Sequence, residues 1–305
     1  MNLNSSLFED YLKCPTKCYL RSTGQTGARN AYAAWVREQN EEYRKEAAQR
    51  LVTATGDGVA ATTPGADNLK TAKWRLAVDL PLETETMASR LHAVERMPPE
   101  GRGRPARFIP VRFVFFNKLT KDDRLLMAFD ALVLSEVLGR KVEVGIINHG
   151  DDHATSKVKV ASLLGTVRKL ADKAQGLLST GSPPDLILNR HCGECEFRDG
   201  CRQKAVEKDD LGLLGGMSEK ERKKCHEEGI FTVTQLSYTF RPRRRPKRFR
   251  DKREKYHHAL RALAIREKKI HIVGSPALKI DGTPVYLDVE GLPEPFTTLF
   301  SVGTA

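Results

Sequence analysis

Three of the six cysteines fall in one short run, His191-Cys192-Gly-Glu-Cys195-Glu-Phe-Arg-Asp-Gly-Cys201, and a fourth, Cys14, stands far upstream in YLKCPTKCYL. Soft thiolates suit zinc and iron–sulfur clusters, and four of them complete either site. The C-x2-C pair can deliver two sulfurs to one centre from a single tight loop. Cys201 follows after five residues, and no second C-x2-C or H-x3-H pair lies nearby, so the fourth ligand is remote. Cys14 is the candidate for that role and His191 its local competitor; together they describe one metal site tying the two ends of a domain. Three buried thiols with no metal are the plain alternative. The flanking His191, Glu194, Glu196, Arg198 and Asp199 are not a core composition. The second constellation with metal chemistry is Asp288-x-Glu290. The alternation of a strand puts both carboxylates on one face, where they could share a divalent cation.

The elements that must hold these groups are legible in outline. The 305 residues suit two or three domains, and 40% hydrophobic residues supply a sizeable core. WVREQNEEYRKEAAQRLV reads as an amphipathic helix with Glu-to-Lys/Arg pairs at helical spacing, and Glu42 and Glu46 on it are either solvated helix charges or further acidic candidates. In LLMAFDALVLSEVL the apolar residues Leu125, Leu126, Phe129, Leu132, Val133 and Leu134 recur near helical spacing, with a strand expected upstream at 107–115. The polar stretches 54–69 and 100–106 read as exposed connections. A net charge of +12 and a pI near 9.4 point to a polyanionic partner. No run approaches the roughly 18 apolar residues of a membrane span, and MNLNSSLFEDYL lacks a signal-peptide layout. No membrane partner is therefore expected. The expected location is cytoplasmic, where thiols stay reduced and cysteine clusters hold metals.

At the cysteines the chain resembles a known family. RecB-like nucleases with an iron–sulfur staple begin with a Cys-Pro-x-Lys/Arg-aromatic-Tyr-Leu element and end with C-x2-C-x5-C. Here these read Cys14-Pro15-Thr16-Lys17-Cys18-Tyr19-Leu20 and Cys192-x2-Cys195-x5-Cys201, with Cys18 in the usual aromatic slot as a spare thiol or alternative ligand. The resemblance covers roughly the first two thirds of the chain. It implies a PD-(D/E)XK fold and a 4Fe-4S cluster on Cys14, Cys192, Cys195 and Cys201, with zinc as the alternative.

It also implies a catalytic centre, with an Asp on one strand and a Glu-x-Lys or Asp-x-Lys on the next. The acids would hold Mg2+ or Mn2+, and the Lys would orient the attacking water. One placement uses Asp130 and Glu143, but Glu143-Val144-Gly145 has no Lys. The preferred placement sets Phe108-x-Pro110-Val111 on the family's aromatic-Glu-Pro-Val-Asp-x-Lys strand. There Ile109, Arg112 and Val114 occupy the positions of the acids and the Lys, and the Gln-x-x-x-Tyr of the following helix is missing. The expectation is a RecB-like fold with a degenerate hydrolytic centre, in which Asp130 and Glu143 are ordinary polar positions. An unorthodox active site around them is the competing reading.

Beyond the cysteines, Ser218 with Glu221 is a capping box and Gly229 a helix stop. This capped helix, the Gly-Ile turn and a second short helix resemble a helix-hairpin-helix module whose turn amides meet phosphate; a packing hairpin is the plain alternative. Cys225 reads as a small core residue. Arg241, Arg243, Arg244, Arg245, Lys247 and Arg248 form the densest charge run, suited to displacing counterions from a phosphate backbone or to a solvated linker. Tyr256 to Lys269 reads as a helix, and 285–291 as a strand whose Asp288-x-Glu290 resembles the first motif of RNase H-like (DEDD) exonucleases. Too few residues follow Glu290 for such a domain, so a truncated start is expected.

The expected architecture is therefore α/β (α+β). A RecB-like nuclease domain with its staple spans 1–206, a helical hairpin module 207–240, a basic linker and helix 241–269, and the start of an RNase H-like domain 270–305. The expected function is a RecB-like nuclease acting on DNA, single-stranded or at ends, in company with a helicase and with a degenerate metal site. A non-catalytic nucleic-acid-binding platform, with exonuclease chemistry in a missing C-terminal part, is the alternative.

Overall fold

A computed structural model describes residues 2–28, 30–60, 69, 73–99, 105–241 and 257–271, and the backbone alone of 285–291 and 298–304. The chain divides into two compact units. The first comprises Met1–Gln25, Arg29–Pro184 and Tyr286–Gly303; the second comprises Thr26–Ala28, Asp185–Val285 and Thr304–Ala305.

The first unit is built on an open mixed sheet with helices packed on both faces. In chain order its elements are β1 (Leu3–Asn4), α1 (Ser5–Lys13), α2 (Pro15–Ser22), α3 (Ala31–Thr55), β2 (Leu76–Glu83), β3 (Met87–Met97), β4 (Arg107–Val114), α4 (Lys121–Leu138), β5 (Val144–His149), β6 (Ala154–Lys159) and α5 (Leu164–Thr180). The strand order is β2-β3-β4-β5-β6. The first three strands run antiparallel, β5 lies parallel to β4 after the α4 crossover, and β6 is antiparallel to β5.

Local chemistry sets the element boundaries. Thr120 and Asp123 close a capping box at the start of α4, and Gly139 ends it in the left-handed conformation, φ 66°. Between these ends Leu125 to Leu134 are all buried, which is why the apolar run carries only a partial helical stripe; Asp130 is its sole charged member. Cys14 is the joint between α1 and α2. Pro15 restarts the helix at its first position and confines Cys14 to extended backbone, φ −166° and ψ 119°. One face of the sheet is covered by α1, α4 and α5 through Phe8, Leu80, Leu91, Phe129, Leu132, Val167 and Ala171. The other face is covered by α3 through Tyr43 and Ala47, which meet Leu76, Ala93, Val111 and Phe113. Residues 61–68 and 100–104 of the two polar stretches lie outside the described residues. Leu69, expected in an exposed connection, is instead fully buried in the core beneath the sheet.

The sheet forks at its centre. β3 pairs with β4 only from Ala93↔Val111 to Met97↔Arg107. Beyond that point β4 pairs with β5 through Val114, while β3 pairs in parallel with β1 at Leu3↔Met87 and Asn4↔Ala88. The short β1 thus takes the edge of β3 that β4 leaves, and α1 follows directly from it.

The second unit is helical: α6 (Arg198–Glu207), α7 (Glu219–Glu227), α8 (Val233–Ser237) and α9 (His258–Glu267). Leu211, Leu214, Val233, Leu236 and Ala262 form its core, with Met217, Cys225 and Ile230 packed against them. The Ser218–Glu221 capping box forms, and Gly229 follows α7 at φ 77°. Thr26–Ala28 belong to this unit: the Ala28 amide donates to the Glu196 carbonyl at 2.8 Å. A Cβ on Gly27 would lie 2.5 Å from that same oxygen. A separate pair of strands, β7 (Val285–Gly291) and β8 (Thr298–Thr304), lies at the end of the chain.

Candidate functional site

The fork gathers a cluster of buried polar groups. Arg112 on β4 points toward α4, where its Nη1 lies 2.8 Å from Oδ2 of Asp130. The Ser89 hydroxyl on β3 donates to the other carboxylate oxygen at 2.6 Å. Glu9 on α1 reaches to 4.0 Å from Arg112 and pairs with Lys13 at 2.9 Å. Asp130 and Ser89 are 2% and 4% exposed, so this is an ion pair largely withdrawn from water. Burial pushes the Asp130 carboxyl up from its ordinary value against the pull of Arg112 and Ser89. Burial also works against the Arg112 charge, but Asp130 and Glu9 outweigh it and hold that pKa above the ordinary value. Such a pair contributes little net stability, yet removing one partner strands a charge.

Where the β3–β4 ladder stops, His92 fills the gap. The backbone amide of Phe113 donates to its Nδ1 at 3.0 Å. Burial, together with the nearby Arg112 and Arg44, lowers its pKa well below the ordinary value. Opposite it on β2, Asp79 adopts φ 59°, a left-handed conformation uncommon for a residue with a Cβ. Arg44 of α3 and Arg90 of β3 both bind its carboxylate, Arg90 Nε at 2.8 Å. The centre of the sheet therefore carries three arginines and a neutral histidine.

The positions singled out in the sequence fall as follows. Asp130 lies in the buried pair, while Glu143 is exposed ahead of β5. Ile109 is half-buried on β4, and Val114 is buried with Met127, Ile147 and Val158. Glu42 is exposed, and Glu46, also exposed, pairs with Arg50 at 2.7 Å. Asp288 and Glu290 are on β7, and their side chains lie outside the described residues, as do Arg243, Arg244, Arg245, Lys247 and Arg248. Arg241 is exposed.

The cysteines differ sharply in setting. Cys18 is fully buried, and burial pushes its thiol up to about 12. It is a core residue of α2, held in a layer where Asp10 takes an ion pair from Arg21 at 3.0 Å and from Lys17 at 3.4 Å. Cys14 is half-buried in the first unit. Cys192, Cys195 and Cys201 are half-buried in the second. Cys192 sits in the 3₁₀ turn Arg190–Glu194, where the Asn189 amide donates to its sulfur at 3.3 Å. The Cys195 amide closes the turn onto the Cys192 carbonyl at 3.3 Å. The Nε2 of His191 accepts from Arg190 at 3.2 Å. As donors, accessible soft thiols in a C-x2-C turn with an N–H···S bond suit an iron–sulfur cluster or zinc. Among the described residues, however, no three His, Cys, Asp or Glu side chains are grouped so as to hold a metal ion.

Sequence reasoning did not anticipate Ser89, His92, Glu9 or Asp79. A usable signal was present, since Ser89 and His92 interrupt an apolar strand and Arg112 interrupts Phe-Ile-Pro-Val-Arg-Phe-Val. Among the described residues no helix is long and apolar enough to cross a membrane. No protein-family model matches the sequence, and no curated protein matches it as a relative.

Proposed function

We propose that this chain is a RecB-like, PD-(D/E)XK-type protein that holds DNA without hydrolysing it through its sheet domain. The observation carrying this reading is the inverted charge at the fork. Arg112 occupies the place where the resemblance puts a metal-binding acid, and the nearest buried acid, Asp130, is committed to that guanidinium. A cation supplied by the protein there opposes a second cation by like-charge repulsion. Val114, in the place of the Lys that orients water, is packed among apolar side chains. The fold expectation has independent support: β4 pairs antiparallel with the preceding strand and leads into a helix and a parallel strand.

Cys14, Cys192, Cys195 and Cys201 would hold a 4Fe-4S cluster, or zinc, as a structural tie between chain segments. When bound, such a group supplies folding free energy. The excess of positive charge supplies affinity for phosphates, with single strands or ends as the preferred form and a helicase as the accompanying activity. The DNA phosphates would meet Lys and Arg side chains and release counterions.

The reading is tested with anaerobically purified full chain, by iron, sulfide and zinc analysis and by fluorescence anisotropy on labelled DNA. The same sample is then incubated with Mg2+ or Mn2+. Binding that weakens with salt, without cleavage, is the expected result. Cleavage lost in Asp130→Asn and Glu143→Gln would overturn it and restore the active-site reading of those residues. Cleavage lost only in Asp288→Asn would move the chemistry to β7.

A further inference from the structure

We infer that the second unit carries a stacking platform for unpaired nucleobases, formed by Phe231 and Tyr238 at the two ends of α8. This deepens the DNA-holding reading and rests on it. Both rings are exposed, Phe231 at 55% and Tyr238 at 72%, yet the backbone under each is fixed. The side-chain oxygen of Gln235 accepts from the amides of Phe231 and Thr232 at 2.7 and 3.1 Å, and Asp209 accepts from the Thr234 amide at 2.8 Å. Tyr238 closes the other end of α8, its amide donating to the Gln235 carbonyl at 3.2 Å.

Each ring is backed by a group that suits a π-stack. The Arg266 guanidinium lies over Tyr238, 4.4 Å from its centroid, and is itself held by Ser237 at 2.8 Å. His226 stacks on Phe231 with centroids 5.2 Å apart and planes 30° from parallel. A ring backed in this way on a hydrogen-bonded backbone loses less entropy than a free one when a base settles on it.

Charge selects the occupant. From Gly229 to Arg241 and from His257 to His271 the cations Arg241, Arg261, Arg266, Lys268 and Lys269 outnumber the one carboxylate, Glu267, which pairs with Arg266 at 3.2 Å, while Asp209, Glu227 and Glu228 border the Phe231 end. Exposed aromatic faces beside the cations of α9 and Arg241 match a single strand, whose bases offer π-faces between phosphates. A duplex keeps those faces covered. Exposed Ile265 and Ile270 on the same unit make a protein partner the competing occupant.

The experiment measures anisotropy of the full chain on a labelled oligothymidine of about 20 nucleotides, a length that spans a typical single-strand site, and on a duplex of equal length. Wild type is compared with Tyr238→Ala, Tyr238→Phe and Phe231→Ala, all with the arginine-rich run intact and with circular dichroism checking the fold. Each alanine variant is expected to weaken single-strand binding about tenfold. Tyr238→Phe and duplex affinity are expected to be unchanged. Wild-type affinity in both alanine variants overturns the platform alone. Wild type that binds neither DNA overturns the DNA-holding reading as well. Alanine variants that alter sedimentation while keeping oligothymidine affinity assign the surface to a protein contact, and the inference falls.

Discussion

The amide of Phe113 donates to Nδ1 of His92 at the point where β3 and β4 part, so this imidazole does the work of a carbonyl and needs its Nδ1 lone pair. Protonation there would break the bond and place a third cation beside Arg44 and Arg112. The folded chain therefore keeps His92 neutral well below the ordinary value of 6.5. Below that pH the unfolded state binds the extra proton, so stability is fully present above it and is lost as pH falls. The limiting slope is about 1.4 kcal/mol per pH unit. Urea midpoints of wild type and His92→Gln, taken between neutral pH and pH 5, should converge as pH falls. Parallel curves would count against this assignment.

Arg112→Met should destabilise the first unit by about 3–5 kcal/mol, because it leaves the Asp130 carboxylate buried with only Ser89 to answer it. The double variant Arg112→Met/Asp130→Leu removes both charges and should recover most of that loss. Equilibrium denaturation distinguishes the two, and a double variant no better than the single would show that the pair's packing matters more than its charge.

Tyr43 is pinned by its hydroxyl, which donates to the Gly150 carbonyl at 3.0 Å, while its ring stacks on His153 with centroids 4.9 Å apart. Tyr43→Phe should cost roughly 0.5–1.5 kcal/mol. Burial pushes its phenol up to about 12 from 10.0. The unfolded chain thus releases this proton first, and stability falls as pH rises above 10. That alkaline loss should be smaller in the Phe variant.

Iodoacetamide at mildly alkaline pH should leave Cys18 unmodified until the chain unfolds, since a buried thiol at about 12 offers almost no thiolate. Peptide mapping by mass spectrometry reads this directly. Cys18→Ala should retain whatever iron or zinc the wild type holds, whereas Cys14→Ser should lower it. Equal loss in both would place Cys18 among the ligands.

Gly27→Ala should loosen Thr26–Ala28 from the cysteine-bearing segment, because its Cβ would meet the Glu196 backbone at 2.5 Å. Limited proteolysis should cut the variant sooner between residues 25 and 30, with the first unit's cleavage pattern unchanged.

The helices announce themselves in the sequence. Ser218 and Glu221, Gly229, and the stripe through Leu125, Phe129 and Leu132 each act over a few residues, so local chemistry settles them. The fork does not announce itself. It depends on a two-residue strand, Leu3–Asn4, pairing with Met87 and Ala88, and neither segment encodes the other. The Arg112–Asp130 pair was half legible: an arginine in an apolar strand signals a buried partner, but only the register of β4 over α4 names it. Leu69 was hidden by its polar neighbours, as one apolar side chain has no periodicity.

The hydrogen bond from Ala28 to Glu196 closes a ring of chain that contains five of the six strands of the large sheet, all but β1. During synthesis the first half of that contact emerges early, and its partner arrives only after the whole sheet has been made. Loop closure of that length is slow when the intervening chain is unfolded and much easier once it has compacted. The second unit is thereby obliged to mature last, and a fragment begun at Asp185 would be missing a piece of its own fold.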